Sequence, residues 1–273
     1  STSNILYKGI ELTSRQRVYW KVRAWDADDE ESSWSDTAYF EMGLLNPEDW
    51  KGYWIGQGNL FDGNRSSVPL LAKDFAIQQN KQIERARLYI SGLGIFEAHL
   101  NGMRITENYY DPGESDCRKT VNYVTYDVTD MVKAGDNALG ILLGNGMYGA
   151  YDGIGMYDSN GIKRYYKQDG IKKAPNWEGL YGRIKTIAQL EVIYDDGTSN
   201  IIITDDSWSY KNGPITFSGW FGGEDYDARL EVKGWDMAGF SRKGWERAEI
   251  MTPPAGKLTS RECPPIVVFE TYD

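Results

Sequence analysis

I-S-G-L-G-I-F-E-A-H-L-N-G-M-R-I-T-E-N-Y-Y-D-P-G, residues 90–113, carries the plainest strand, turn and strand signal in the chain. Asn101-Gly102 stands between two apolar runs. A two-residue type I′ hairpin loop needs positive φ at both central positions, and Asn followed by Gly tolerates this best. The spacing therefore predicts a strand running out from Tyr89 to Leu100 and back from Met103 to Tyr109. Gly92 and Gly94 interrupt the outgoing strand, which marks a bulge or a close approach of backbone or ligand.

Working outward, the same period-2 pattern recurs along most of the chain. Strands are predicted near 70–77, 83–90, 95–100, 120–126 and 137–143. From Ile184 the alternation puts Ala188, Leu190, Val192 and Tyr194 on one face, turns at Asp195-Asp196-Gly197 and returns through 200–204. Further short strands fit 208–210, 215–217 and 228–232. Asp127 to Lys133 reads as one helical turn capped by Thr129 or Asp130 and closed at Gly135. No sustained helical stripe competes, so the fold class is all-β, a sandwich. The stretch from Gly144 to Arg183, rich in Gly, Tyr and Asp and without a period, is long for a loop in a compact domain. It is therefore the first place to look for a site.

Ahead of this region, R-V-Y-W-K-V-R-A-W (17–25) alternates cleanly, an acidic loop comes next, and Trp34-Ser35 leads into a strand at 37–42. The pair resembles the last two strands of a fibronectin type III module. Such a sandwich needs about seven strands, so residues 1–43 are expected to be the C-terminal part of a fibronectin type III-like domain. The alternative is that the pair packs directly on the next domain. Residues 44–56 read as a connector in which Asn46 caps a short turn with Pro47 at its first position and Trp50 and Trp54 as anchors. Residues 57–273 are expected to form the main sandwich with a C-terminal extension.

The totals exclude several classes. Forty acidic and thirty basic side chains give a net charge of −10, and without a Lys or Arg run, phosphate backbones would be repelled; a nucleic-acid partner is not expected. No segment approaches the roughly 18 apolar residues of a membrane span. Two cysteines, Cys117 and Cys263, are too few for a disulfide framework or a zinc site, and spacing does not say whether they pair. Nineteen tyrosines and ten tryptophans make the chain unusually aromatic, and rings left outside the core can act as platforms for sugar rings or partner side chains.

The order of the motifs is more specific than any one of them: I-S-G-L-G-I-F-E-A-H-L-N-G (90–102), Y-D-P-G (110–113), T-Y-D-V-T (125–129), L-G-N-G-M-Y (143–148) and G-G-E-D-Y-D-A-R-L-E (222–231). This series resembles the N-terminal region of bacterial α-L-rhamnosidases, glycoside hydrolase family 78, over roughly residues 10–270. The resemblance implies a fibronectin-like domain followed by a jelly-roll (galactose-binding-like) β-sandwich, with the catalytic (α/α)6 barrel much further along the parent polypeptide. It implies a fragment without the acid and base carboxylates and inactive alone, a rhamnose-containing glycan and the remaining domains of the same polypeptide as partners, and a periplasmic or extracellular location. Some members carry a calcium-dependent rhamnose-binding jelly roll. Calcium is therefore the one candidate cofactor, although that module's ligands find no counterparts at particular positions here.

Candidate carbohydrate-binding residues are Asn145, Tyr148, Trp220, Glu224, Asp227 and Arg229. Carboxylates and Arg can hydrogen-bond vicinal hydroxyls, and a glycosidase would need two carboxylates across a sugar. The competing reading makes Glu224, Asp227 and Arg229 an ion-pair network that fixes a turn, and it has the aromatics, together with Tyr151, Tyr157, Trp177 and Phe221, filling core or meeting absent domains. Asp158-Ser159-Asn160-Gly161 and Asp26-Ala27-Asp28-Asp29 faintly resemble calcium loops but lack the Glu at the twelfth position; solvated turns are expected. His99, the single histidine, is expected to be structural rather than a base.

Overall fold

In the computed structural model the described residues are 7–58, 67–149, 155–157, 163–165, 182–220 and 223–272. They fall into two units, Ser1–Trp50 and Lys51–Asp273. In the first, β1 (Arg17–Trp20) pairs antiparallel with β2 (Ala38–Glu41), Val18 opposite Phe40. The ladder is shorter than the alternation over 17–25 predicts. Beyond Trp20, the Val22 and Ala24 N–H groups donate to the hydroxyls of Ser35 and Ser32, side-chain partners that compete with strand pairing. Asn46 and Pro47 start a short 3-10 turn as expected, with the Asp49 carboxylate accepting the Asn46 N–H at 2.9 Å. The Asp26 carboxylate accepts the N–H groups of Asp28 and Glu30, so that loop is a turn closed on itself.

The second unit contains β3 (Ile55–Gly56), β4 (Pro69–Ile77), β5 (Ile83–Leu93), β6 (Ile95–Leu100), β7 (Met103–Arg104), β8 (Thr120–Asp127), β9 (Gly135–Gly144), β10 (Gly155–Tyr157), β11 (Lys163–Tyr165), β12 (Lys185–Tyr194), β13 (Ser199–Ile203), β14 (Ser209–Asn212), β15 (Ile215–Gly219), β16 (Gly223–Tyr226), β17 (Glu246–Arg247), β18 (Glu249–Ile250) and β19 (Lys257–Ser260). One sheet runs β18-β3-β12-β5-β8-β19 with β13 also on β12; the other runs β17-β14-β4-β9-β6-β7. Their inner faces share one core, in which Leu88, Ile90, Leu190 and Val192 meet Leu71, Leu139 and Ile141. This is the expected all-β sandwich.

The β12 alternation places Ala188, Leu190, Val192 and Tyr194 in that core, as the period predicts. Its other face is buried too, because residues 51–54 cross it: the Gln189 side chain accepts the Lys51 N–H at 2.6 Å and donates to Glu191 at 2.7 Å. Trp208, fully buried, donates its indole N–H to the Ile203 carbonyl at 2.9 Å.

Asn101 and Gly102 have φ of 54° and 84°, the type I′ signs the pair predicts, and Leu100 faces Met103 across the turn. The outgoing run from Tyr89 to Leu100 divides, as the separate strands at 83–90 and 95–100 imply, and its two parts lie in different sheets. Gly94, at φ 114°, is the corner where the chain leaves β5 for β6, and a Cβ there would overlap the Gly144 carbonyl oxygen. Only glycine fits both demands. Gly94→Ala should therefore destabilise the fold by about 1–3 kcal/mol, read as a lower denaturant midpoint at unchanged m-value.

Three other expectations are corrected. The return strand stops at Arg104, because Arg104 turns back to the Asn108 carbonyl and Tyr109 bridges instead to Ile266. Residues 127–133 make the expected single turn, with the Met131 and Val132 N–H groups on the Val128 carbonyl, but the Asp127 carboxylate, not Thr129 or Asp130, caps it by accepting the Thr129 N–H, and Gly135 opens β9 rather than closing a helix. Ala228–Leu230 is a 3-10 turn, not a strand, since the Asp227 side chain accepts the Arg229 N–H. Cys117 and Cys263 are both free thiols, the first buried and the second exposed.

Candidate functional site

Four segments meet where the chain changes sheets at Gly94: the corner itself, the 108–115 loop, the turn after β9 and the β15–β16 hairpin. Asn145 is buried and donates its side-chain amide to the Ser218 carbonyl at 2.9 Å, while its own carbonyl accepts the Gly149 N–H at 2.8 Å. It thereby ties the turn to the hairpin close to the tip. Ser218 lies opposite Glu224 in that hairpin. Trp220, at the tip, is 39% exposed and meets Tyr110 edge to face, with ring centroids 6.1 Å apart and planes at 64°.

Tyr110 is held outward by its backbone and by its neighbour. It has φ of 57°, a conformation that costs a bulky residue energy and persists where surrounding structure enforces it. The enforcement comes from Asp111, 2% exposed, whose main-chain carbonyl accepts the Phe96 N–H. Its carboxylate accepts from the Tyr126 hydroxyl, the Arg261 guanidinium and the Asn108 amide. Burial and the adjacent Asp111 carboxylate push the Tyr126 hydroxyl pKa well above its usual range. Tyr110 and Trp220 consequently form an exposed L-shaped notch of two rigid rings, each with an electron-rich face toward which the C–H groups of a flat ligand are drawn.

The notch has an acidic flank. Burial and the charge of Glu97 raise the pKa of the Glu224 carboxyl, although the residue as a whole is exposed. Glu97 is in turn bound by His99 Nε2 at 2.9 Å and by Arg104 Nε at 3.0 Å, and the other His99 nitrogen lies 2.8 Å from Asp236. Burial alone would lower the His99 pKa, but the bonds and charges of Glu97 and Asp236 raise it. Because the folded value is raised, the stabilising clamp is fully present below the unfolded pKa of about 6.5 and is lost as pH rises through the higher folded value. The difference in unfolding free energy between the wild type and His99→Gln should shrink accordingly on alkaline titration.

Beside the 108–115 loop lies a small depression of about 30 Å³, bordered by Gly92, Pro112, Glu114, Cys117, Asn122 and Tyr148, among others. Tyr148, mostly buried, has the Lys185 ammonium 5.9 Å from its ring centre. Of the six residues that the sequence offers as candidates, Asn145, Tyr148, Trp220 and Glu224 thus belong to this corner. Asp227 and Arg229 stand apart, at the base of the hairpin, three residues or roughly 10 Å along the strand from Glu224. They form a two-pronged ion pair at 2.6 and 2.8 Å that caps the 3-10 turn and holds the Asp227 carboxyl down at about 2. Glu224 has no part in that pair. The loop residues Tyr151, Trp177 and Phe221, the side chain of Tyr157 and the loop 158–161 lie outside the described residues. Among the described residues no group of three or more His, Cys, Asp or Glu could hold a metal ion, and no helix is long and apolar enough to cross a membrane. Sequence reasoning does not single out Tyr110 or Glu97 as site residues; the Y-D-P-G motif is the available pointer to the first.

The main unit is a two-sheet β-sandwich module. Its family is explicit: the chain belongs to the α-L-rhamnosidase N-terminal domain family, whose model matches residues 81–270, and residues 1–46 match a Rha78A-like N-terminal immunoglobulin domain. An α-L-rhamnosidase of Formosa agariphila is 32% identical over 98% of the chain and 29% of its own length. The structure of α-L-rhamnosidase from Dictyoglumus thermophilum superposes with a TM-score of 0.78 at 37% identity over 97% of this chain and 28% of that one. The α-L-rhamnosidase of Aspergillus terreus superposes with the same score at 32% identity, over 93% and 28%. The chain therefore spans less than a third of the length of these relatives.

Proposed function

We propose that this chain is a non-catalytic accessory part of a longer α-L-rhamnosidase and that its sandwich aids recognition of a rhamnose-containing glycan. The observation that carries the reading is the Tyr110–Trp220 notch, an exposed aromatic pair held by the buried Asp111 network and the Asn145–Ser218 bond. A sugar ring lies with its C–H face on one aromatic ring while the other bounds its edge, and Glu224 is placed to hydrogen-bond hydroxyls. The acid and base that cleave the glycosidic bond belong to the catalytic (α/α)6 barrel of the parent enzyme, the other partner in this reading. Titration of the 15N-labelled chain with L-rhamnose should move amide signals of 108–113 and 218–220, while an aryl rhamnoside should not be turned over. Turnover by the chain alone would overturn the non-catalytic assignment, and unmoved signals would overturn the recognition role.

A second reading, a structural domain packed on the rest of the enzyme, draws on a different surface. Val268, Phe269 and Tyr272 near the end of the chain are 62%, 91% and 80% exposed, an apolar stretch of the kind that marks a contact with another protein surface. Under this reading the tail, and not the notch, carries the function.

A further inference from the structure

We infer that Arg104 is the positioning residue of the Tyr110–Trp220 notch and that, through the His99–Glu97 pair, it makes glycan affinity depend on the protonation of His99. The inference rests on the recognition role proposed above and adds a control to that same site. An unbroken line of contacts carries it. Asp236 lies 2.8 Å from His99 Nδ1, His99 Nε2 lies 2.9 Å from Glu97, and Glu97 lies 3.0 Å from Arg104 Nε. Arg104 then donates from Nη2 to the Asn108 carbonyl at 2.7 Å, and its guanidinium carbon stands 5.1 Å from the centre of the Tyr109 ring. Tyr110 is the next residue, left-handed at φ 57°. A bulky residue stays in that conformation only where its surroundings hold it. Asp111 holds it from one side, and Arg104 grips the two residues on the other.

The donors decide the protonation state of His99. An ionised carboxylate only accepts, so carboxylate contacts at both ring nitrogens need two N–H groups, which only the imidazolium has. The Asp236 side chain is 9% exposed and that of Glu97 34%. When the proton leaves, the single remaining N–H therefore stays on the more buried carboxylate, whose loss of a partner would cost more. Glu97 then lacks one of its two cationic partners and draws harder on Arg104, at the expense of the bond to the Asn108 carbonyl. The other charged groups around this line, among the described residues, do not replace His99. Arg104 faces it from β7, β9 presents uncharged Gly140 at that register, Glu107 is 3.8 Å from Arg104 Nη1, and Glu224 on β16 feels the charge of Glu97. Affinity should fall as pH rises through the His99 titration, by about threefold, the worth of one exposed charge contact.

Calorimetric titration of the full chain with L-rhamnose from about pH 5.5 to about pH 9, with the His99 ring signals followed by NMR over the same range, tests this. The wild type is expected to lose about threefold in affinity around the midpoint of the His99 titration. His99→Gln should lose that step, and any slope that survives in it belongs to Glu224. Arg104→Gln should weaken binding by about threefold at low pH and flatten the profile. Arg104→Lys, which keeps the charge but not the planar fork, should fall between the two. A variant that merely unfolds lowers the number of binding sites rather than the affinity, so the same titration recognises it. In the unliganded chain the amide signals of Asn108, Tyr109 and Tyr110 should follow the His99 titration in the wild type and stay fixed in Arg104→Gln. A wild-type affinity independent of pH, with Trp220→Ala still damaging, would overturn the control and leave the notch standing. No binding at any pH would overturn the recognition role; 108–110 signals that still follow His99 would then support Arg104 as the residue that sets the loop, and fixed signals would overturn that too.

Discussion

Asp111→Ala should lower the melting temperature of the chain by roughly 10 °C. The Asp111 carboxylate is 3% exposed and its Arg261 partner 13%, so removal leaves a guanidinium with little access to water and the Tyr126 hydroxyl without its acceptor. Breaking a buried pair by deleting one partner costs about 3–5 kcal/mol. For a body of this size, each kcal/mol moves the midpoint by about 2–4 °C. Asp111→Asn, which keeps an acceptor but not the charge, should lose less. The double variant Asp111→Ala/Arg261→Met should be less damaging than the sum of its parts, because it leaves no unpaired charge. Differential scanning calorimetry reads all three. Since the same residue holds the Tyr110 backbone in its strained conformation, Asp111→Ala should also weaken glycan binding without touching the glycan.

Trp220→Ala should weaken binding of a rhamnose-terminated glycan by at least about tenfold, as truncation of a central aromatic anchor does, while leaving the melting temperature within about 1 °C. The indole is 39% exposed and its ring contact is with Tyr110, so little core packing depends on it. Tyr226→Ala is the matched control. Tyr226 is on the same hairpin, 57% exposed and bonded to Glu231, and its loss should leave affinity unchanged. Equal effects of the two substitutions would mean that the hairpin acts as a whole and not through the notch.

The range of each interaction decides how much of this is legible in the sequence. The Asn101-Gly102 turn, the β12 alternation and the Asp227–Arg229 pair are local, and period, turn chemistry and i, i+2 spacing expose them directly. Gly94 is visible as a glycine within a strand, but its role as a corner between sheets depends on the Gly144 carbonyl fifty residues later. The residues after Arg104 read as strand because the pull of Arg104 toward the Asn108 carbonyl is a tertiary effect on an otherwise alternating run. The site suffers most from distance. Composition points to Asn145 and Trp220, but the bond from Asn145 to Ser218 spans 73 residues and the Asp111–Arg261 pair spans 150. Tyr110 stands in the Y-D-P-G motif, yet nothing local marks it as the partner of Trp220.

The central claim is that the Tyr110–Trp220 notch is where this module holds sugar. A crystal structure of the full chain soaked with a rhamnose-terminated oligosaccharide tests it most directly. Density is expected for one sugar ring stacked in the notch within hydrogen-bond reach of Glu224. Density bound elsewhere on the sandwich, with both rings bare, would contradict it.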